Sequence, residues 1–296
     1  MGTVAIFGAG VMGETLLSGL LRGGRSADDL VITERRAERA AELTEKYGVR
    51  ALENVEAAKV ADTLVLVVKP QDIRGLLAEI RDHVAEDNLV VCIAAGITTG
   101  TVETALADGR AVVRVMPNTP ALVDQGMAAV SAGRHVSPAQ LEEAKALLAA
   151  TGKVAEVPEY LQDAVTAISG SGPAYIFYVV EAMIEAGVVL GMPRTMATEL
   201  VVQTLYGAAT MMRETGQHPT VLREQVTSPG GTTAAALREL DDHKVRAAFI
   251  TASPKVSVTS PVRTTHTLPT RSFADLAVLW LKSGALLDLV SLPSQA

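Results

Sequence analysis

The sequence predicts an α/β protein: a doubly wound parallel sheet at the N-terminus, followed by an all-helical C-terminal domain. Three observations carry that expectation. Short β-branched runs alternate with helix-period segments over the first half, a glycine-rich turn follows the first of these runs, and the strand signal disappears beyond Pro158.

Strands are expected at residues 4–8, 30–33, 63–68, 89–94 and 111–115, with helices at 13–22, 36–47, 71–83 and 101–107 between them. Runs such as Leu89-Val90-Val91-Cys92-Ile93 are apolar throughout, as strands covered on both faces are. Leu76, Leu77, Ile80 and Val84 recur at helical spacing. After Pro117 the rhythm weakens, and 127–131 and 153–157 read as edge strands. Between them Ser137-Pro138-Ala139-Gln140 opens a helix with a capping box and a proline at the first helical position.

Long helical stretches follow, bounded by Gly172-Pro173, Gly191-Met192-Pro193 and Pro229-Gly230-Gly231. The helix at 174–187 is apolar on most faces and is expected to be buried. Another is expected over 234–252. Ser253-Pro254, Ser260-Pro261 and Leu268-Pro269 break the remainder, so an irregular tail is expected. The domains are therefore expected at 1–157 and 158–252, with the tail at 253–296.

With 296 residues, 48% of them hydrophobic, the chain can bury a sizeable core. A net charge of −7 without a basic stripe, and only 3% aromatic residues, exclude a nucleic-acid partner. Cys92 is the only cysteine, so an internal disulfide and a cysteine metal cluster are excluded; its apolar run makes it a small buried hydrophobe. His83, His135, His218, His243 and His266 show no metal-ligand spacing, and no metal is expected. The chain runs at once into its first strand, and Asp275, Lys282 and Asp288 interrupt the late apolar stretch. A cytoplasmic protein with no membrane partner is expected.

Gly8-Ala9-Gly10-Val11-Met12-Gly13 lies between a strand and a helix, the context that makes it a Rossmann-type dinucleotide fingerprint. Gly8 permits the tight turn, Gly10 lets the backbone approach a pyrophosphate, and Gly13 allows close helix–strand packing. Glu34 follows about 20 residues later, the distance of a ribose-binding acid. Alone it favours NAD; Arg35 and Arg36 could embrace the 2′-phosphate of NADP, or simply start a charged surface helix. Pro70 ends its strand and presents Lys69 at the carboxyl edge of the sheet, where open α/β sheets bind ligands, although a solvated strand-end lysine reads the same way. The same placement puts Ala94-Ala95-Gly96 and Met116-Pro117-Asn118-Thr119-Pro120 beside the nicotinamide half.

In the helical half, Thr227-Ser228-Pro229-Gly230-Gly231-Thr232-Thr233 precedes a helix. Its free amides and hydroxyls form either an anion site for a small carboxylate or a threonine cap on an ordinary turn. Ser169-Gly170-Ser171-Gly172-Pro173-Ala174-Tyr175 opens the apolar helix. Glu181 and Glu185 lie one turn apart on that helix and read as a solvated or partner-facing pair, and the helix carries no Lys, Cys or His.

Residues 8–13, 67–70, 116–120, 169–175 and 228–233 together resemble the pyrroline-5-carboxylate reductase family over residues 3–252. The two motifs in the helical half are the specific part of that match. The resemblance implies a helical C-terminal dimerisation domain that interlocks with a second subunit in a homodimer or higher homo-oligomer. Each active site then lies between a cofactor domain and the dimer partner. It places NAD(P)H on Gly8, Ala9, Gly10, Val11, Met12, Gly13, Glu34 or Arg35, Asn54, Val68, Lys69, Pro70, Ala95 and Gly96. The substrate falls on Ser228, Gly230, Gly231, Thr232 and Thr233, near Ser171 and Thr166. The reaction implied is hydride transfer from NADPH, with NADH also accepted, to 1-pyrroline-5-carboxylate, giving L-proline. Thr233 would orient the ring nitrogen as the catalytic contact. Past Thr251 the match stops, and Ser253-Pro254 is expected to end the final helix.

Two rivals stay open at this level. A β-hydroxyacid or imine reductase shares the architecture, although a hydroxyacid enzyme is expected to carry a lysine on the helix after the glycine-rich turn, and 174–187 has none. A non-catalytic NAD(P)-sensing protein is the other.

Overall fold

The strands are β1 (Val4–Phe7), β2 (Leu30–Thr33), β3 (Arg50–Ala51), β4 (Thr63–Leu66), β5 (Leu89–Cys92), β6 (Ala111–Met116), β7 (Gly126–Ala132) and β8 (Gly152–Glu156). They form one sheet in the order β3-β2-β1-β4-β5-β6-β7-β8. Every pairing is parallel except β6 with β7. This computed structural model describes residues 2–107 and 109–258.

Six helices cover the two faces: α1 (Val11–Arg22), α2 (Ala37–Tyr47), α3 (Asn54–Val60), α4 (Ile73–Ile80), α5 (Thr99–Ala105) and α6 (Pro138–Ala149). Although the central strands are apolar throughout, their two-residue period still sorts the side chains. Val4, Ile6, Val65 and Val91 pack with Leu16, Leu17 and Leu147 on one face. Ala5, Phe7, Leu66 and Val90 pack with Ile73, Leu77 and Ile80 on the other. The strand order reverses between β1 and β4, and a crevice opens beyond their carboxyl ends.

From Glu159 the chain is helical: α7 (Gln162–Val165), a π turn over Thr166–Gly170, α8 (Gly172–Val189), α9 (Arg194–Thr215), α10 (Pro219–Gln225), α11 (Thr232–Asp242) and α12 (Val245–Val258). The described residues group as one compact unit, in which α12 packs back against α7 and the π turn.

Several expectations are corrected here. Helix α8 is not buried: no residue of it is, and Phe177 and Tyr178 are 65% and 75% exposed. Apolarity on most faces marks a helix that needs cover, and among the described residues its most extensive packing is against α9, where a Cβ on Gly187 would lie 2.9 Å from Ala197 Cβ. Accordingly Glu159–Val189 is long and apolar enough, by length and composition, to cross a membrane, a feature that sequence reading did not single out. The helix expected over 234–252 begins earlier, at Thr232, and is two helices, broken where Lys244 takes φ 58°. The proline of Ser253-Pro254 does not end the last helix, which runs to Val258. The remainder of the expected irregular tail lies outside the described residues. Strand β7 is interior, with β8 at the edge, and the short β3 and α3 carried no clear sequence signal.

Candidate active site

The glycine turn is built as its spacing requires. Gly8 adopts φ 98°, a left-handed value that glycine tolerates, and its N–H donates to Thr33 O at 3.0 Å, locking the turn to β2. A Cβ on Gly13 would be driven into the Gly8 carbonyl, so α1 can sit this close to β1 only with glycine there. Around Gly10, by contrast, a Cβ would meet nothing within 4 Å, the open approach that a pyrophosphate needs. No side chain caps α1, leaving its first amides free for an anion. Glu14 anchors this helix from below. It pairs with Arg39 and accepts from Lys46 Nζ and Tyr47 Oη, both at 2.9 Å. The Lys46 hydrogen bond, opposed by burial but reinforced by Tyr47 and Arg39, pulls its carboxyl down to about 2.

A cleft of about 680 Å³ opens at the crevice. Of the expected cofactor residues, Gly8, Gly10, Glu34, Arg35, Asn54, Val68 and Lys69 line it. Gly13 and the fully buried Ala9 lie behind the turn, and Val11 is 70% exposed at the start of α1. Met12 and Asn118 line a separate small apolar cavity with Ile93 and Met127. Pro70 opens a 3-10 turn, Ala95 is exposed, and Gly96 has φ 75° just past β5.

The adenosine end of the cleft holds two ion pairs. Arg36 Nε donates to Glu34 Oε1 at 3.1 Å, and Arg35 Nη2 to Asp72 Oδ2 at 3.1 Å. Burial works against the Glu34 charge, but the Arg36 side-chain and backbone hydrogen bonds and both arginine charges outweigh it, holding the carboxyl below its usual range. Asp72 and Glu79, which accepts from Asn54 Nδ2 at 2.8 Å, were missed in the sequence. Asp72 ends the 3-10 turn after Lys69, and Glu79 reaches the cleft from α4, which packs beside α3, a placement that no local pattern announces.

On the helical side, Thr166 opens the π turn and Ser171 follows it: Ser171 N–H donates to Thr166 O at 2.8 Å, and Thr166 Oγ1 to Gln162 O at 2.9 Å. Gly230, at φ 69°, turns the chain into α11. Gly231 is the cap residue of α11 and makes no side-chain cap, so the threonine-cap alternative is set aside and the first amides of α11 keep no helical partner. A Cβ on Gly231 would lie 2.5 Å from Ser228 Oγ, so the Ser228 side chain folds over that glycine. Thr233 is half-buried and Thr232 exposed. None of these substrate-loop residues lines the cleft.

Glu185 pairs with Arg194 at 2.8 Å. His218 uses Nδ1 to cap α10, accepting from Thr220 N–H at 3.2 Å. Cys92 is buried, and burial pushes its thiol up to about 11. Among the described residues no group of three or more His, Cys, Asp or Glu could hold a metal, and His266 lies outside them.

A dinucleotide crevice at the switch point of a doubly wound sheet, followed by an apolar helical module, defines an NAD(P)-dependent oxidoreductase. Residues 3–96 match the family model for coenzyme F420-dependent NADP oxidoreductases, and residues 159–260 match the model for pyrroline-5-carboxylate reductase dimerisation. The chain belongs to the pyrroline-5-carboxylate reductase family. It is 48% identical to a pyrroline-5-carboxylate reductase of Corynebacterium melassecola over 86% of this chain and 95% of that one. It superposes on the Coxiella burnetii pyrroline-5-carboxylate reductase with TM-score 0.83 at 35% identity, covering 88% and 97% of the two chains. The Plasmodium falciparum pyrroline carboxylate reductase, solved with NADP bound, gives TM-score 0.79 at 27% identity over 87% of this chain and 96% of that one.

Proposed function

We propose that this chain reduces 1-pyrroline-5-carboxylate to L-proline, the last step of proline biosynthesis, using NADPH with NADH also accepted. The observation that carries the reading is the joint presence of the open glycine turn at Gly10 and the uncapped Gly230–Thr233 turn in a chain of this family.

Gly8 to Gly13 hold the pyrophosphate against the α1 N-terminus, Glu34 and Arg35 meet the adenosine ribose, and Asn54, Val68, Lys69, Pro70, Ala95 and Gly96 line the path to the nicotinamide. Bound there, the reduced nicotinamide supplies a hydride to the C=N carbon. The chain supplies position and charge. Backbone amides of Gly231, Thr232 and Thr233 take the substrate carboxylate, with Ser228 beside them and Ser171 and Thr166 facing the ring. Thr233 Oγ1 orients the ring nitrogen. The imine enters protonated from solution, so no strong side-chain acid is required, and orientation carries the rate.

Both arginine side chains are largely exposed, Arg36 at 69% and Arg35 at 81%, but Arg36 is held by Glu34, which is only 10% exposed, whereas Arg35 is held by the more open Asp72, at 31%. An exposed ion pair is worth at most about 1 kcal/mol and a charge-assisted bond to phosphate about 1.5–3 kcal/mol. Arg35 therefore leaves Asp72 for a 2′-phosphate, and both cofactors fit.

The exposed apolar residues of α8 and α9, Phe177, Tyr178, Met183 and Leu200 among them, are covered by a second copy of the chain. The enzyme is a cytoplasmic homodimer or higher homo-oligomer, divided into a cofactor domain at 1–157 and a helical dimerisation domain at 158–252. Cofactor oxidation followed with and without the imine tests the activity. Turnover only with the imine supports it; oxidation indifferent to the imine contradicts it, and binding without turnover returns the reading to the sensing protein.

A further inference from the structure

The loop after β6 joins the two halves of the site. Asn118 Nδ2 donates to Ser169 O at 3.2 Å, and Asn118 Oδ1 accepts from Met127 N–H at 2.8 Å. One carboxamide thereby connects the exit of β6, the start of β7 and the π turn. In a regular helix the Ser169 carbonyl would accept from the N–H four residues on, but that residue is Pro173, which has none. The next amide, Ala174 N–H, is already given to Ser171 O at 3.0 Å. Asn118 supplies the donor that the helix lacks. Met116 repeats the contact through packing, since a Cβ on Gly170 would lie 2.5 Å from Met116 Cε. The π turn, which Thr166 opens and Ser171 follows, is therefore held at two points from the carboxyl end of β6.

We propose that Asn118 is a positioning residue for hydride transfer rather than a cofactor contact: through the proline-orphaned Ser169 carbonyl it fixes the π turn against the cofactor crevice. Both polar ends of its side chain are anchored to protein, one N–H on Ser169 O and Oδ1 on Met127 N–H, so turning the carboxamide toward a nucleotide would break both bonds. The inference rests on the proposed reaction and adds to it the element that sets the distance between the two substrates.

Asn118→Asp separates the two bonds, because a carboxylate still accepts from Met127 N–H and cannot donate to Ser169 O. The variant is expected to lose about 10- to 100-fold in kcat, the penalty of a misplaced reactant. The primary isotope effect with deuterated cofactor should rise, and amides 166–171 should exchange faster. The NADPH Kd, read by cofactor fluorescence, should stay within about two-fold of the parent, since no cofactor contact is lost. Met116→Ala leaves the polar network intact and should shift isotope effect and exchange in the same direction. It keeps the test open if Asn118→Asp does not fold. A Kd that weakens in step with kcat, or an unchanged isotope effect with unchanged exchange, overturns the assignment. If the parent protein itself left the imine untouched, the proposed reaction would fall separately. Exchange and Kd would then decide alone: faster exchange at constant Kd supports the holding role, and unchanged exchange overturns it.

Discussion

Replacing Thr233 by valine probes the substrate half of the site with little change of shape. Thr233 is the second residue of α11, half-buried, with the uncapped amides of that helix beside it and Gly230 turning the chain at φ 69° just before. Valine keeps the β-branch and the volume, so the helix start should persist and only the hydroxyl is lost. A hydrogen bond to a charged partner contributes about 1.5–3 kcal/mol, and exclusion of water from a closed site raises the loss to about 2–4 kcal/mol. At 1.36 kcal/mol per factor of ten, kcat/KM for the imine should fall on the order of 30- to 1000-fold. The assay is steady-state imine reduction at saturating NADPH, with NADPH Kd measured in parallel and expected to hold constant. Thr232→Val, on the exposed neighbour, should cost less, and Thr233→Ser should recover most of the loss. Parent-level reduction by Thr233→Val would refute the orienting role and leave carboxylate binding by backbone amides as the function of the loop.

Other perturbations test the cofactor half. Gly10→Val should fold and lose NADPH binding, because its Cβ enters open space meant for pyrophosphate. Gly13→Val should destabilise the protein itself, since its side chain meets the Gly8 carbonyl; fluorescence titration and thermal unfolding separate the two. Arg35→Ala should weaken NADPH about ten-fold and NADH by less than about two-fold, while Asp72→Asn should tighten NADPH by releasing Arg35; equal effects on both cofactors in titrations would contradict this. Glu14 is charged in the folded state down to about pH 2 against a usual 4.5, so its contribution is fully present above pH 4.5 and is lost as pH falls from there through 2. Glu14→Gln should therefore cost about 1–2 kcal/mol at neutral pH, discounted for the exposed Lys46 partner, and the gap to the parent in denaturant melts should close toward pH 2.

The parallel sheet was legible because its central strands β1, β2, β4 and β5 are near-continuous apolar runs, and the glycine fingerprint sits where β1 meets α1. The turn from Gly230 into α11 was legible for the same reason: its signal is local. What escaped the sequence depends on distant packing. Glu79 enters the cleft through the packing of α4 on α3, and Asp72 is marked there only by its pairing with Arg35 from just past the end of β2. The exposure of α8 depends on a partner that composition does not specify, because burial in a core and burial in an interface leave the same apolar pattern. The break at Lys244 carries no glycine, which is why 234–252 read as one helix. Pro254 read as a terminator because an interior proline removes a hydrogen bond and clashes with the preceding turn. The chain nonetheless continues as helix to Val258.

The central claim is that this chain delivers a hydride to the C=N carbon of 1-pyrroline-5-carboxylate. The most direct measurement incubates the protein with the imine and NADPH deuterated at the transferred position, and reads the product by NMR and mass. The account expects L-proline carrying one deuterium at the former imine carbon, formed in step with cofactor oxidation. Proline without deuterium at that carbon, or cofactor oxidised with no proline formed, would contradict it.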